Sequence, residues 1–345
     1  MIGRRVLLGV LAMLMMSCVA SGQQRVIVDT DPGTDDALAI FLALNSPELK
    51  VEAFTVVPGN VVAEQGLKNA LKLVSVADRC DVPVAAGAKH PLMQNTYTAT
   101  YWHGKNGIAD IELPASKCKV DPRFAPDLII ELIHKYPHEI TLIPVGPLTN
   151  IALAVSKDPA IVGLTKNIVI MGGSISGGNV TGVSEANIFG DPEAAEIVFK
   201  AGWTVTMVGS DVGEQTLMRR KELTQLEAGH GPVNDVVTKI SRFYIERSEK
   251  NGWDGAAMYD PLAVGVAIDP TLVTLKEMHI DVETRGEFTR GETVPNRNLQ
   301  DEKNVLHGDH FEIEGYDKLA VNAKVAVASD AQRFLTMFVS RVKGR

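Results

Sequence analysis

Apolar residues fall along this chain in short runs, each closed by a polar or glycine-bearing turn and followed by a longer stretch with helical spacing. Val26-Ile-Val28 predicts a strand, Pro32-Gly33 a turn, and Asp35 or Asp36 the cap of a helix whose apolar face is Leu38, Ile40, Phe41, Leu42 and Leu44. The alternation then repeats. Val51 to Val57 predicts a strand ending in Pro58-Gly-Asn60, Val61 to Ala77 a helix, Val82 to Ala86 a short strand and Leu128 to His134 a short helix. Ile140-Thr-Leu-Ile143 predicts a strand that turns through Pro144-Val-Gly-Pro-Leu-Thr-Asn150 into a helix over Ile151 to Ser156. Ile168-Val-Ile-Met171 is a further strand ending in Gly172-Gly173, and a Gly/Ser/Asn-rich loop follows it. Asp191-Pro-Glu-Ala-Ala starts a helix with an N-cap and a proline at its first position, and Trp203 to Val208 returns to strand. Later, Asp260 stands at the cap of an apolar helix, a place where an Asp-Pro pair is also an ordinary cap.

Strands alternating with helices predict an α/β fold, an open and mainly parallel wound sheet with helices on both faces. In such a sheet the strand ends share one rim, where ligands bind. That rim brings Asp31, Asp36, Asn60, Val145 and Met171 to one pocket.

The first strand end is unusually acidic. Asp29, Asp31, Asp35 and Asp36 crowd into one turn, and carboxylates so spaced repel unless they are protonated or bridged by a cation. Caps and turns are the common use of aspartate, but two would serve for capping and four are present. An all-oxygen cluster suits calcium or magnesium. Calcium is the better match, because it accepts irregular coordination and leaves positions for substrate hydroxyls and water.

With 345 residues and 45% hydrophobic content, the chain can bury a large core. No composition shift, repeat or linker marks a boundary, so residues 25–345 are expected to form a single domain. Residues 1–24 read separately. Arg4-Arg5, the apolar stretch Val6 to Met16 and the small residues from Ser17 onward form a secretory signal that is too short to span a bilayer. Cleavage after Ala20 gives a soluble periplasmic or secreted protein, whereas lipidation of Cys18 gives an anchored lipoprotein; both readings stay open. The formal charge is −8, and loss of Arg4 and Arg5 makes it −10. An acidic chain without a basic run is a poor match for nucleic acid or an anionic membrane. Cys80 and Cys118 can pair in an oxidising compartment or stay as free buried thiols, and neither has zinc-site spacing.

These residues resemble one family. Asp29-Thr-Asp-Pro-Gly-Thr-Asp-Asp36, Thr55-Val-Val-Pro-Gly-Asn60, Pro144-Val-Gly-Pro-Leu-Thr-Asn-Ile-Ala152, Met171-Gly-Gly173, Glu185-Ala-Asn187, Asp191-Pro-Glu-Ala-Ala195 and Asp260-Pro-Leu-Ala-Val264 occur in order. In them the chain is similar to the calcium-dependent nucleoside hydrolases of the inosine-uridine-preferring type, from about Val26 into the C-terminal region. The resemblance implies hydrolysis of the N-glycosidic bond of ribonucleosides to free base and ribose, with a calcium-bound water as nucleophile. It makes Asp31, Asp36, Asp260 and the carbonyl of Val145 the Ca2+ ligands. Asp35 and Asn60 would hold the ribose diol, Met171 would line the sugar pocket, and Asn179, Glu185 and Asn187 would reach the 5'-hydroxyl side. Asp31 is the natural base for the water, and Asn187 is counted with it among the catalytic candidates. A small-molecule nucleoside is the implied partner, and a homo-oligomer the expected assembly.

One position departs from the pattern. Those relatives carry histidine before the last aspartate, associated with protonating the departing base, and here the residue is Tyr259. A tyrosine donates a hydrogen bond but is not poised to release a proton near neutrality. Tyr259, another residue or protonation from solvent can therefore serve the leaving group. The segment Tyr101-Trp-His103 lies where the family's loop covers the base, so Trp102 or Tyr101 would stack on it and His103 would reach its ring nitrogens; a surface aromatic loop with a solvated histidine is the plain alternative. A purine, which accepts a proton on its imidazole ring, is favoured over a pyrimidine.

Two other functions compete. Asp29-Thr-Asp31 at a strand end also suits a haloacid-dehalogenase-like phosphohydrolase, but Pro32-Gly33 and Asp35-Asp36 do not continue that pattern. An exported nucleoside- or ribose-binding protein without turnover rests on Tyr259 alone. An EF-hand loop fails because Pro32 interrupts the ligand spacing.

Overall fold

The computed structural model describes residues 22–296 and 320–345; Cys18 and residues 1–21 of the expected signal lie outside that range. The chain enters at β1 (Gln24–Thr30), turns into α1 (Thr34–Asn45), and continues through β2 (Leu49–Val56), α2 (Ala63–Val76), β3 (Val84–Ala86), α3 (Thr100–His103) and β4 (Val120–Asp121). It then crosses back through α4 (Ala125–Lys135) to β5 (Ile140–Pro144), α5 (Thr149–Lys157), α6 (Ile161–Leu164) and β6 (Asn167–Met171). After α7 (Ala186–Gly190) and α8 (Pro192–Lys200) come β7 (Val205–Val208), α9 (Ser210–Gly213), β8 (Leu217–Met218), α10 (Arg220–Glu227), α11 (Pro232–Lys250) and β9 (Ala256–Ala257). The last part holds α12 (Tyr259–Ile268), β10 (Val273–Val282), β11 (Thr293–Asn296), β12 (Ala323–Ser329) and α13 (Ala331–Val342).

Among the described residues, ten strands form one sheet in the order β11-β10-β12-β7-β6-β5-β1-β2-β3-β4, and β8 and β9 form a small separate pair. The pairs from β7 through β4 are parallel, as the alternation predicts, and β12 joins β7 in parallel. β10 runs antiparallel to both β12 and β11, which extends the sheet beyond the part the apolar runs reveal. β1 is therefore interior, flanked by β5 and β2. Asp29 stands level with both Thr55 and Pro144, so the turns after all three strands open at the same height.

Strand alternation divides the core. Val26 and Val28 face a layer with α1, α11, α12 and α13, while Ile27 faces one with α4, α5 and α8. Helices thus cover both faces. α1 has more than an apolar stripe: every residue from Thr34 to Leu44 is buried, because the helix lies between the sheet and an outer layer. Phe41 and Phe54 are wholly enclosed, and each such side chain contributes about 1.5–3 kcal/mol by leaving water. Cys80 and Cys118 are paired in a disulfide, which resolves that open choice.

Candidate active site

The turn between β1 and α1 is organised by Asp36. One of its oxygens accepts from Thr30 Oγ1 (2.5 Å) and the Asp31 amide (3.1 Å), the other from the Gly33 amide and Asn60 Nδ2 (both 2.9 Å). Donors on both of its oxygens fix the orientation of the Asp36 carboxylate. Asp31 differs. Its Oδ2 accepts from the Asn60 amide at 2.6 Å, but its buried Oδ1 has no partner, and Asp35 Oδ1 and Asp29 Oδ2 are likewise unpartnered. The other Asp29 oxygen is held by Thr55 and Asn150.

One oxygen from each of Asp35, Asp36 and Asp260 lies within 4.8 Å of the other two, all buried. Asp35, expected at the ribose diol, thus stands inside the acidic group, while Asp31 is fixed beside it. Burial and then the neighbouring Asp36 push the Asp35 carboxyl up to about 8 and Asp31 well above the carboxylate range. Asp260 is raised well above it too, by burial and then by Asp35 and Asp36. Unpaired oxygens on buried acids are costly, and a cation supplies the missing charge. The donors are all hard oxygens, so the residues fit a metal. The Val145 carbonyl accepts from Asn187 Nδ2 at 3.0 Å and keeps a second lone pair.

Glycine lets the Asp31 carboxylate lie against the neighbouring turns. A Cβ on Gly59 would meet Asp31 Oδ2 at 2.0 Å, and one on Gly146 would meet Oδ1 at 2.7 Å. These two glycines form the cradle.

The acids face a cavity of about 270 Å³ whose described lining holds three carboxylates, Asp35, Glu185 and Asp260, and no lysine or arginine. On one side of it, Asn187 Nδ2 also donates to the carbonyl and sulfur of Met171. Glu185 caps α7, accepting from the amides of Asn187 (2.9 Å), Ile188 (3.2 Å) and Gly173 (2.8 Å). Burial outweighs these donors and raises its carboxyl to about 7. Asn179 accepts from the Ala186 amide at 2.9 Å and meets the Tyr259 hydroxyl.

The opposite wall is aromatic. His103 is buried rather than solvated, which removes the surface-loop reading. Its Nδ1 accepts from the Thr34 amide at 3.2 Å and meets Thr34 Oγ1 at 2.8 Å, so the ring proton sits on Nε2. Burial and then Arg247 lower its pKa to about 3, which keeps it neutral. Trp102 is half-buried against the core and Tyr101 is exposed, and both line the cavity. Tyr259 is half-buried with its hydroxyl turned inward, and desolvation, then Glu214 and Asp35, hold that hydroxyl protonated. The motifs did not point to Tyr97, Tyr244 and Trp253, which complete this wall. They come from separate segments, and a lone aromatic in a helix or loop carries no signal beyond core packing.

Fold and site together define an α/β protein with a buried acidic group, suited to a metal, at the ends of its parallel strands. Residues 26–336 match the inosine-uridine preferring nucleoside hydrolase model, and the chain belongs to that family. It is 36% identical over 326 residues to the pyrimidine-specific ribonucleoside hydrolase RihA of Escherichia coli O1:K1 / APEC, covering 92% of this chain and 98% of that one. It is 42% identical over 274 residues to the inosine-uridine preferring nucleoside hydrolase of Leishmania major, covering 79% and 87%. The solved purine-preferring ribonucleoside hydrolase from Gardnerella vaginalis superposes with a TM-score of 0.82 at 36% identity, covering 92% and 98%. These relatives differ in base preference while sharing one reaction.

Proposed function

We propose that the protein hydrolyses the N-glycosidic bond of ribonucleosides, purine ribonucleosides foremost, with calcium as its metal. The observation that carries this is the pair of unpartnered buried oxygens on Asp31 and Asp35 beside an acid-lined cavity. Asp31, Asp36, Asp260 and the Val145 carbonyl would hold the ion. A divalent cation held there would supply Lewis acidity toward water and an attraction for the hydroxyls of a sugar.

The chain's own groups do the rest. Asp31, held at Oδ2 by Asn60, offers Oδ1 as the acceptor of the water's proton. Cleavage of the C1'–N bond builds positive charge on the sugar, which the ionised forms of Asp35, Glu185 and Asp260, all lining the cavity, would stabilise. Asn60, Asn179 and Asn187 position the ribose, with Met171 beneath it. Trp102 stacks on the base, while the neutral Nε2–H of His103 and the Tyr259 hydroxyl donate hydrogen bonds to it.

Export is part of this reading, supported by the N-terminal pattern and by a disulfide suited to an oxidising compartment. The continuous ten-stranded sheet supports a single domain over residues 25–345.

The test is ribose release from inosine, adenosine, uridine and cytidine, with chelator and after metal is returned. Release should vanish with chelator and return with calcium more fully than with magnesium. No release from any nucleoside would leave a binding protein, and turnover indifferent to chelator would end the metal assignment.

A further inference from the structure

Arg290 lies outside the cavity, yet its guanidinium ties together the segments that form two of the cavity's walls. It forks onto Glu193 of α8 with two bonds of 2.8 Å. It also donates to Gln94 Oε1 at 3.0 and 3.2 Å and to the Thr284 carbonyl. The amide of Gln94 passes the connection on, donating to the carbonyls of Phe189 (2.7 Å) and Gly190 (2.9 Å) at the end of α7. The Phe189 ring meets Tyr97 edge-on at 5.9 Å, and Tyr97 shares a 3.0 Å hydrogen bond with Tyr101.

The same hairpin reaches the sugar side. Ser184 Oγ donates to the Arg290 carbonyl at 2.6 Å, and Ser184 bridges to Glu292, one residue before Glu185. Gly291 takes a positive φ of 83°, and a Cβ there would stand 2.9 Å from Phe189 Cα, so the hairpin backbone is pressed onto α7.

We infer that Arg290 is a positioning residue that holds the base-side segment carrying Tyr97 and the sugar-side helix carrying Glu185 and Asn187 at a fixed separation. This rests on the nucleoside hydrolase reading. Arginine is suited to the task because its planar fork holds a carboxylate and an amide oxygen at once, which a lysine ammonium cannot reproduce. Without the clamp, bound nucleoside meets a looser pocket, so KM rises more than turnover at saturation falls.

The experiment measures KM, kcat and melting temperature for Arg290→Ala, Arg290→Lys, Gln94→Ala and the Arg290→Ala/Gln94→Ala double variant with a natural nucleoside. Gln94→Ala leaves the Arg290–Glu193 pair intact, so it remains informative should Arg290→Ala fold poorly. KM should rise roughly tenfold in both alanine variants and by less in Arg290→Lys, with kcat within about threefold of wild type. The double variant should be little worse than Arg290→Ala, because one connection is cut twice. A lowered melting temperature with unchanged KM in Gln94→Ala and Arg290→Lys would make the clamp merely structural and overturn the inference. A wild-type protein that releases no ribose would instead defeat the functional reading.

Discussion

Tyr259 and Glu185 show how burial decides what a polar side chain can do. The Tyr259 ring packs on Gly213, where a Cβ would stand 2.1 Å from its Cδ1, and its enclosed hydroxyl keeps its proton. In the proposed reaction, as a neutral donor, it would contribute one hydrogen bond to the leaving base. Tyr259→Phe should therefore slow natural nucleosides by about tenfold, the value of ~1.4 kcal/mol, and spare p-nitrophenyl riboside, which departs unaided. A thousandfold loss on inosine would make Tyr259 a true acid. Glu185 gives a pH signature. Its carboxyl, raised to about 7 by burial, holds a proton in the folded chain that the unfolded chain releases near 4.5. The resulting stabilisation is full below the lower value and is lost as pH rises through the upper one. In chelator, the melting temperature of Glu185→Gln relative to wild type should climb from about pH 5 to about pH 8. A flat difference would show that Glu185 ionises freely. The aspartates of the first turn were legible because their density has no other economical explanation. Asp35 and Asp36 do stand together in the fold, and what the turn alone could not show is that Asp260, from a distant helix start, joins them.

At the scale of elements, the strand ends carry the acidic group and their glycines set its dimensions. Gly146 has no unusual φ; it is small because Asp31 Oδ1 would stand 2.7 Å from any Cβ there. Gly146→Ala should push the carboxylate out of its cradle, lower calcium affinity measured by titration calorimetry, and reduce ribose release at least about a hundredfold. Wild-type affinity in that variant would mean that the cradle yields freely. The parallel strands were readable because doubly covered strands are almost continuously apolar: β5 is buried along its whole length. β10 was not, because it carries Lys276, Glu277 and Asp281 and alternates irregularly between exposed and buried positions. α11 escaped for a related reason, its buried face including Asn234, Thr238, Ser241 and Ser248 among apolar residues.

For the whole molecule, the disulfide and the strand order matter most. Cys80–Cys118 closes a loop with a sequence separation of 38 that carries Tyr97, Trp102 and His103. Closing a loop of that length restricts the unfolded chain by roughly 3–4 kcal/mol. Cys80→Ser should melt several degrees lower than wild type in non-reducing buffer and match it in reductant; equal melting in both would show that the bond adds nothing. The pairing itself was beyond sequence reasoning, since two cysteines so far apart are brought together only by the return of the chain to β4.

The interior position of β1 also has a consequence in time. Asp36, in the first turn after β1, leaves the ribosome early, whereas Asp260, which closes the acidic group, is made more than two hundred residues later. At ordinary rates of synthesis that interval is roughly 10–45 s. Throughout it the growing chain carries an acidic turn whose full set of oxygens does not yet exist, so tight loading of an ion there has to wait at least until Asp260 has been made.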